Sequence, residues 1–85
     1  MQKISRLAAQ EVAVLRVLVN CQGRVVSRRE LARLAGIADL NDRRCDSLLV
    51  AIRRHLGPES IRTVRSRGWM LVPVAVERAE VLLVA

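Results

Sequence analysis

The dipeptide Gly57–Pro58 divides the chain into two parts with different hydrophobic periods. Before it, over residues 8–56, apolar residues recur every three or four positions, which predicts amphipathic helices. After it, over residues 61–72, β-forming residues flank the sequence RSRG, which predicts a hairpin. Because glycine followed by proline ends a helix, helices come first and the hairpin second. The predicted fold class is therefore α+β.

Three helices are predicted before the dipeptide. The first covers about residues 8–21. The second covers about residues 28–35 and begins at a capping box formed by Ser27 and Glu30. The third covers residues 42–56. Three helices followed by a hairpin give the layout of a winged helix-turn-helix.

The chain divides into this domain and a tail. We assign residues 1–73 to the winged helix and residues 74–85 to the tail. The tail is compatible with a further strand or with a short helix from about Glu77. Its valine, leucine and alanine residues must be covered, either by the first helix of the domain or by another chain or domain.

Composition limits the chain to one small core and favours a polyanionic partner. Apolar residues make up 52% of the 85 residues and Trp69 is the only aromatic one, so the core must be aliphatic. The formal net charge is +7, and all but one of the 15 basic residues are arginine. Such an excess indicates nucleic acid binding, although a GC-rich genome also raises arginine content. The placement of the arginines must decide between the two.

Several other classes of function lack the residues that they need. With no membrane-spanning apolar run and no signal-peptide pattern, we expect a cytoplasmic protein. Cys21, Cys45 and His55 match no zinc-ligand spacing, so we expect no metal, no other cofactor and two reduced thiols. The sequence contains no nucleophile–base pair and no glycine-rich phosphate loop, and no enzymatic activity is expected.

Three segments of the chain closely resemble the C-terminal effector domain of OmpR/PhoB-type response regulators. They are GRVVSRREL at 23–31, DRRCD…IRRHLG at 42–57 and IRTVRSRGWML at 61–71. Their order and spacing agree with that family, and the match covers about residues 7–72. The resemblance implies a bacterial transcription regulator with a winged-helix fold that binds double-stranded DNA. It also implies two copies arranged as a tandem dimer on direct repeats.

The chain departs from the family pattern in three places. It contains no receiver domain, so it is either a free-standing protein or a domain of a longer one. Ala35 stands where relatives usually have tryptophan, and the loop 36–42, which can touch RNA polymerase in relatives, is short. Contact with RNA polymerase or with another regulatory protein therefore stays open. Relatives also tend to carry polar side chains at the positions of Leu48, Val50 and Ala51.

Helical periodicity separates a core stripe from an outward face in the third helix. Cys45, Leu49, Ile52 and Leu56 share one side of the helix, which we expect to be buried. The opposite side is basic at both ends and small or apolar in its middle. It carries Arg43, Arg44, Ser47, Val50, Ala51 and Arg54, while Leu48 and Arg53 flank the core stripe.

The predicted DNA site joins this recognition helix, 42–56, to the wing, 62–68. The helix enters the major groove and the wing reaches the adjacent minor groove or its phosphates. Arg28 lies beside the Ser27 cap at the amino end of the second helix, where the helix dipole favours a phosphate. The predicted DNA-binding residues are Arg28, Arg43, Arg44, Ser47, Val50, Ala51, Arg53, Arg54, Thr63, Arg65 and Arg67.

Four further residues have predicted structural roles. Asp42 is a candidate N-cap of the third helix, and Asp46 resembles the family's helical aspartate, which would pair with an arginine. Gly68 would supply the positive φ that the hairpin tip requires. Trp69 resembles the family's wing tyrosine and is expected to pack between the wing and the core.

A protein-interaction role is the alternative to specific DNA binding. In this interpretation Leu48, Val50 and Ala51 form an apolar patch for another protein, and DNA binding is weak or non-specific. Single exposed valine or alanine residues are also common on helices and require no partner. The sequence leaves these interpretations open.

Overall fold

The computed structural model describes residues 7–84, and within that range lie four α-helices and one two-stranded sheet. The helices precede and follow a hairpin, which confirms the predicted α+β winged helix-turn-helix. In chain order the elements are α1 Ala9–Asn20, α2 Arg28–Ala35, α3 Asp42–Leu56, β1 Ile61–Val64, β2 Gly68–Leu71, a 3-10 turn Pro73–Ala75 and α4 Val76–Val84.

Helix α1 is central to the hydrophobic core. It packs against α2, α3 and α4. Its buried side chains are Val14, Leu15, Val17, Leu18 and Val19. The first turn of α1 is held by Glu11, whose carboxylate accepts a hydrogen bond from the Ala8 backbone N–H at 2.9 Å. The core is aliphatic, as the composition predicts.

Helix α2 begins at Ser27, as predicted, but only half of the capping box is present. The Ser27 hydroxyl accepts a hydrogen bond from the Glu30 backbone N–H at 3.1 Å. The Glu30 carboxylate instead pairs with the Arg24 guanidinium at 3.2 Å and raises the pKa of Arg24. A charge-assisted bond to a guanidinium is stronger than one to a neutral amide, which accounts for this choice of partner.

Helix α3 has the predicted bounds, but its N-cap is the preceding residue. The Asn41 side chain accepts a hydrogen bond from the Arg44 backbone N–H at 2.8 Å. Asn41 also has the extended backbone conformation that an N-cap requires, so the assignment of Asp42 to this role is wrong. Asp42 is the first helical residue, and its carboxylate pairs with Arg28 at 2.9 Å.

The buried side of α3 is wider than the sequence predicts. All four residues of the predicted core stripe are buried, and Leu48 is buried with them at 1% exposure. Placing Leu48 in an exposed apolar patch is therefore wrong. Leu48 and Leu49 differ by about 100° around the helix, the ordinary width of a stripe that faces a core. On the outward side only Val50 and part of Ala51 remain apolar and accessible.

Truncating Leu48 tests this placement. We expect Leu48→Ala to lower the free energy of unfolding by about 2–5 kcal/mol, because a buried leucine leaves a cavity. Val50 is 46% exposed, so Val50→Ala on the same helix should change the free energy by about 0.5 kcal/mol or less. Denaturant titrations of the two variants measure both values. Equal, small effects would contradict the burial of Leu48.

Strands β1 and β2 form the predicted hairpin. Their register pairs Ile61 with Leu71 and Val64 with Gly68. At the tip Ser66 has a φ of 65°, so this serine adopts the left-handed conformation there. Gly68 has the predicted positive φ, of 143°, but it is the first residue of β2, because three residues separate the strands.

One residue of the α1–α2 connection pairs with the hairpin. The Val26 N–H donates to the Trp69 carbonyl at 2.7 Å, and the Trp69 N–H donates to the Val26 carbonyl at 2.9 Å. Trp69 is partly buried and packs against the core, as expected. The hairpin is thereby attached to the segment that leads directly into α2.

Helix α4 resolves the two structural alternatives for the tail. The segment after the hairpin is helical, and α4 packs on α1 with Ala75 and Ala79 buried. The domain's own first helix therefore covers part of the tail. Three valines of this segment remain largely exposed. They are Val74 at 80%, Val81 at 63% and Val84 at 84%.

Candidate nucleic-acid interface

The outward side of α3 forms a shallow, open hollow of about 480 Å³. It is lined by Arg43, Asp46, Ser47, Val50, Ala51 and Arg54. All of these except Asp46 are predicted site residues, so the structure brings them together on one surface. Helical spacing places the two arginines toward opposite ends of the strip and the small side chains between them. A strip of this kind can present cations to two phosphate backbones with a neutral middle toward base edges.

A second hollow, of about 380 Å³, lies where the wing meets the starts of α2 and α3. It is lined by Ser27, Arg28, Arg29, Asp42, Thr63, Val64, Ser66, Arg67, Gly68 and Trp69. The predicted residues Arg28, Thr63 and Arg67 therefore lie around one concave surface. Arg65 is exposed at the hairpin tip. The wing thus presents its arginines beside the helix-turn-helix.

Arg53 connects α3 to the wing. Its guanidinium Nη2 donates to the Ile61 carbonyl at 2.6 Å and to the Thr63 hydroxyl oxygen at 3.0 Å. Its Nε donates to the same Ile61 carbonyl at 3.2 Å. These bonds fix strand β1 relative to α3. Thr63 accepts in this contact, so its own hydroxyl proton remains available to a phosphate oxygen.

Arg28 and Arg44 also make contacts within the domain. Arg28 Nη1 donates to the Leu40 carbonyl at 2.6 Å, and Arg28 Nε pairs with Asp42 at 2.9 Å. Arg44 donates to the Gln10 side-chain oxygen from Nε at 3.1 Å and from Nη2 at 2.7 Å. Both guanidiniums therefore help to position α3. A guanidinium has five N–H groups, and a DNA contact by either residue stays a prediction.

Four predicted arginines have a different environment. They are exposed, and none makes a side-chain hydrogen bond or ion pair with another residue in the range 7–84. They are Arg43 and Arg54 on α3, and Arg65 and Arg67 at the wing tip. Since only solvent compensates their charge, these are the cations most available to a polyanion among the predicted residues.

Among the residues that line the hollows, the sequence-based site prediction missed two exposed charged side chains without an ion-pair partner in residues 7–84. Asp46 forms no ion pair with an arginine of the described chain, contrary to expectation, and its exposed carboxylate lines the α3 hollow. Its angular position, about 40° from Val50 on a helical wheel, would have indicated this. Arg29 is exposed and lines the wing hollow. The signal for Arg29 was its position beside Arg28 at the start of α2.

Within residues 7–84, no three histidine, cysteine, aspartate or glutamate side chains cluster as metal ligands would. Cys21 and Cys45 are both free thiols, and only Cys45 is fully buried. Burial raises the pKa of the Cys45 thiol from 9.0 to about 11, and the nearby charge of Asp46 acts in the same direction.

This shift predicts a loss of stability at alkaline pH. Between pH 9 and 11 the unfolded chain loses the Cys45 proton while the folded chain keeps it, so the free energy of unfolding falls as the pH rises. The chain has no tyrosine, so few other groups titrate in this window. Denaturant titrations at several pH values should show the fall in the wild type and a shallower one in Cys45→Ala. Parallel curves would contradict the assignment.

A protein-family model, described as "Transcriptional regulatory protein, C terminal", matches residues 2–71. The chain belongs to this family. It is therefore an OmpR/PhoB-type winged-helix domain that binds DNA and acts in transcription regulation, and the family is not a class of enzymes. A comparison with curated proteins finds no match.

The family match does not cover the whole of this transcriptional regulatory domain. The family match ends at Leu71, so α4 lies outside the matched span. In the described part of the chain, no helix has the length and apolar character required to cross a membrane. Unlike α4, the arginines of α3 and the wing lie within the matched residues 2–71.

Proposed function

We propose that this domain binds double-stranded DNA with α3 in the major groove and wing residues 62–68 on the adjacent minor groove or its phosphates. The observation that carries the proposal is the set of four unpaired arginines described above, two on α3 and two at the wing tip. The Arg53 contacts to β1 connect the two elements. A wing that is fixed relative to α3 before binding loses less entropy on complex formation.

The outward residues of α3 divide into two groups by chemistry. Arg43 and Arg54 would bind phosphates, which positions the domain without reading sequence. Between them, the Ser47 hydroxyl can bond to any base edge, and Val50 and Ala51 can contact thymine methyl groups. The Asp46 carboxylate, which lines the same hollow, can accept a hydrogen bond from the N4 amino group of cytosine. Few groups read bases directly, so affinity would be mainly electrostatic.

Partners other than DNA are proposals that follow from the family. Two copies on direct repeats are expected, and contact with RNA polymerase or another regulatory protein would use exposed parts of the α2–α3 connection. The alternative function, a protein-contact module, required Leu48, Val50 and Ala51 together. The burial of Leu48 removes the largest side chain from that patch, so no observation favours this alternative over DNA binding.

Selection from mixed genomic fragments at moderate salt, followed by sequencing, tests the proposal. We expect an enriched motif for the wild type. Val50→Gln should change the preferred base at one or two positions, because residue 50 would face the bases. Arg43→Gln should weaken binding to all fragments without changing the motif, since phosphate contacts carry no sequence information.

Arg33→Gln is the matched control, because Arg33 is exposed on α2 and lies in neither of the two hollows described above. It removes the same charge as Arg43→Gln and should leave both affinity and motif unchanged. Weak, motif-free binding by the wild type would contradict the proposal and favour the protein-contact alternative.

A further inference from the structure

The wing tip contains a serine in a backbone conformation that suits glycine. Ser66 has a φ of 65°, and it is the only residue other than glycine with a positive φ in the part of the chain that the structure describes. The Val64 carbonyl accepts a hydrogen bond from the Arg67 N–H at 2.9 Å, so Ser66 is the third residue of a β-turn. A positive φ at that position is the type II pattern, in which glycine or asparagine is usual. The Cβ atom of Ser66 therefore strains the turn.

No hydrogen bond within the described fold accounts for a serine at this position. Three other hydroxyl groups take part in hydrogen bonds of the domain, those of Ser27, Ser60 and Thr63. The Ser66 hydroxyl, in contrast, bonds to no other residue in the range 7–84, and Ser66 is exposed. Strained residues persist chiefly at ligand-binding sites, where the strain is offset by a contact to the ligand. The use of this hydroxyl is therefore to be sought outside the domain.

The surroundings of Ser66 indicate the chemistry of its ligand. Ser66 is the middle residue of the three-residue tip, and both neighbours, Arg65 and Arg67, are exposed arginines without a partner in residues 7–84. Ser66 also lines the wing hollow, together with Thr63 and Arg67. A short hydroxyl between two cations suits a ligand whose negative charges flank neutral acceptors. The minor groove of DNA has this arrangement, with phosphates along both edges and adenine N3 and thymine O2 on its floor.

We propose that the Ser66 hydroxyl donates a hydrogen bond to a base edge in the minor groove, and that Ser66 thereby makes the wing prefer an A·T pair at that position. This inference rests on the proposed function and commits the wing tip to the groove floor. Arginine side chains are long enough to reach phosphates at both edges of the groove, whereas the short serine side chain reaches only groups next to the tip. At a G·C pair the N2 amino group of guanine occupies the same part of the groove and obstructs the acceptors.

A pair of substitutions separates the strain from the hydroxyl. Ser66→Ala and Ser66→Gly both remove the hydroxyl, but only glycine relieves the strain. Ser66→Gly should raise the melting temperature of the free domain by about 3 °C or more, and Ser66→Ala should leave it within about 1 °C of the wild type. On a duplex with the preferred site, both variants should bind about three- to tenfold more weakly, because each loses one neutral hydrogen bond. A purely structural residue would not combine higher stability with weaker DNA binding.

The salt dependence of binding distinguishes this hydrogen bond from a charge effect. Neither substitution of Ser66 removes a charge, so the slope of the logarithm of the association constant against the logarithm of salt concentration should equal that of the wild type. Arg67→Gln is the matched comparison, because it changes the next residue of the same tip and should make the slope shallower by about 0.9.

Base substitutions in the DNA test which groove the wing reads. In the tightest-binding duplex from the selection, A·T pairs are replaced one at a time by G·C or by hypoxanthine·C, which lacks the N2 amino group and keeps the minor-groove acceptors. At one position the wild type should bind the G·C duplex about threefold or more weakly and the hypoxanthine·C duplex with unchanged affinity. For Ser66→Ala the difference between the two replacements should disappear.

The outcomes separate this inference from the proposed function. Equal DNA affinities of the wild type, Ser66→Ala and Ser66→Gly would overturn the role of Ser66 and leave DNA binding by α3 and the wing in place. A loss in Ser66→Ala that is the same for every sequence would also overturn it, because it would indicate a phosphate contact. Motif-free binding by the wild type would contradict both proposals.

Discussion

Gly68→Ala should destabilise the domain by about 3 kcal/mol or more, a large share of the 5–15 kcal/mol typical of small domains. A Cβ atom at Gly68 would lie 2.1 Å from the Val26 carbonyl oxygen and 2.6 Å from its carbon, which are backbone atoms that cannot rotate away. Relief requires the hairpin to move from Val26, which breaks both hydrogen bonds between Val26 and Trp69. The φ of 143° adds backbone strain for any residue with a Cβ.

Gly23→Ala is the control for the backbone contribution alone. Gly23 also has a positive φ, of 82°, but a Cβ there would meet no atom within 4 Å. We expect a loss of about 1 kcal/mol. Thermal and denaturant unfolding of the two variants give the comparison. If both variants lost the same free energy of unfolding, the close approach of the hairpin to Val26 would not be the reason for the glycine at position 68.

Removing three interface arginines should nearly abolish DNA binding at physiological salt. In the variant Arg54→Gln, Arg65→Gln, Arg67→Gln, three phosphate contacts and their counterion release are lost. At 0.1 M salt this corresponds to about 500-fold weaker binding to a duplex with a single site. The control variant is Arg16→Gln, Arg33→Gln, Arg78→Gln, which removes three positive charges from residues that line neither DNA-facing hollow. The DNA affinity of this control should fall only a few-fold. Similar losses in both variants would show that net charge, and not the proposed surface, determines binding.

Local features of the fold were predictable because their causes are local. The bounds of α3 follow from polar capping residues at its start and Gly57–Pro58 at its end. The Ser27 cap depends on atoms three residues apart, and it forms as predicted. The hairpin follows from β-forming residues on either side of a polar tip. No information from distant parts of the chain is required for any of these.

Features that depend on packing were not predictable in the same way. The burial of Leu48 follows from the width of the surface that the rest of the core presents to α3, which periodicity alone does not give. Gly68 is constrained by Val26, a residue more than forty positions away. The tail could be a strand or a helix until its packing on α1 decided between them.

For the arginines of the site, the outward position was predictable from the sequence, but the hydrogen-bond partners were not. Periodicity assigned Arg43 and Arg54 to the outward side of α3, and the structure places them there. It could not separate them from Arg44 and Arg53, because the partners of those two arginines, Gln10 and strand β1, lie on other elements. Sequence alone thus gives the number of arginines near the site, and the fold indicates which ones have no partner within the domain.

The salt dependence of DNA affinity tests the central claim most directly. The exposed arginines that lie on or beside the two hollows and have no side-chain partner in residues 7–84 are Arg29, Arg43, Arg54, Arg62, Arg65 and Arg67. The wild type should therefore neutralise about six phosphates. The logarithm of its association constant on a single-site duplex should fall with the logarithm of salt concentration at a slope of about −5. For the variant lacking Arg54, Arg65 and Arg67 the slope should be about −2.5. A wild-type slope near −1, or one that these three substitutions leave unchanged, would contradict the DNA interface proposed for α3 and the wing.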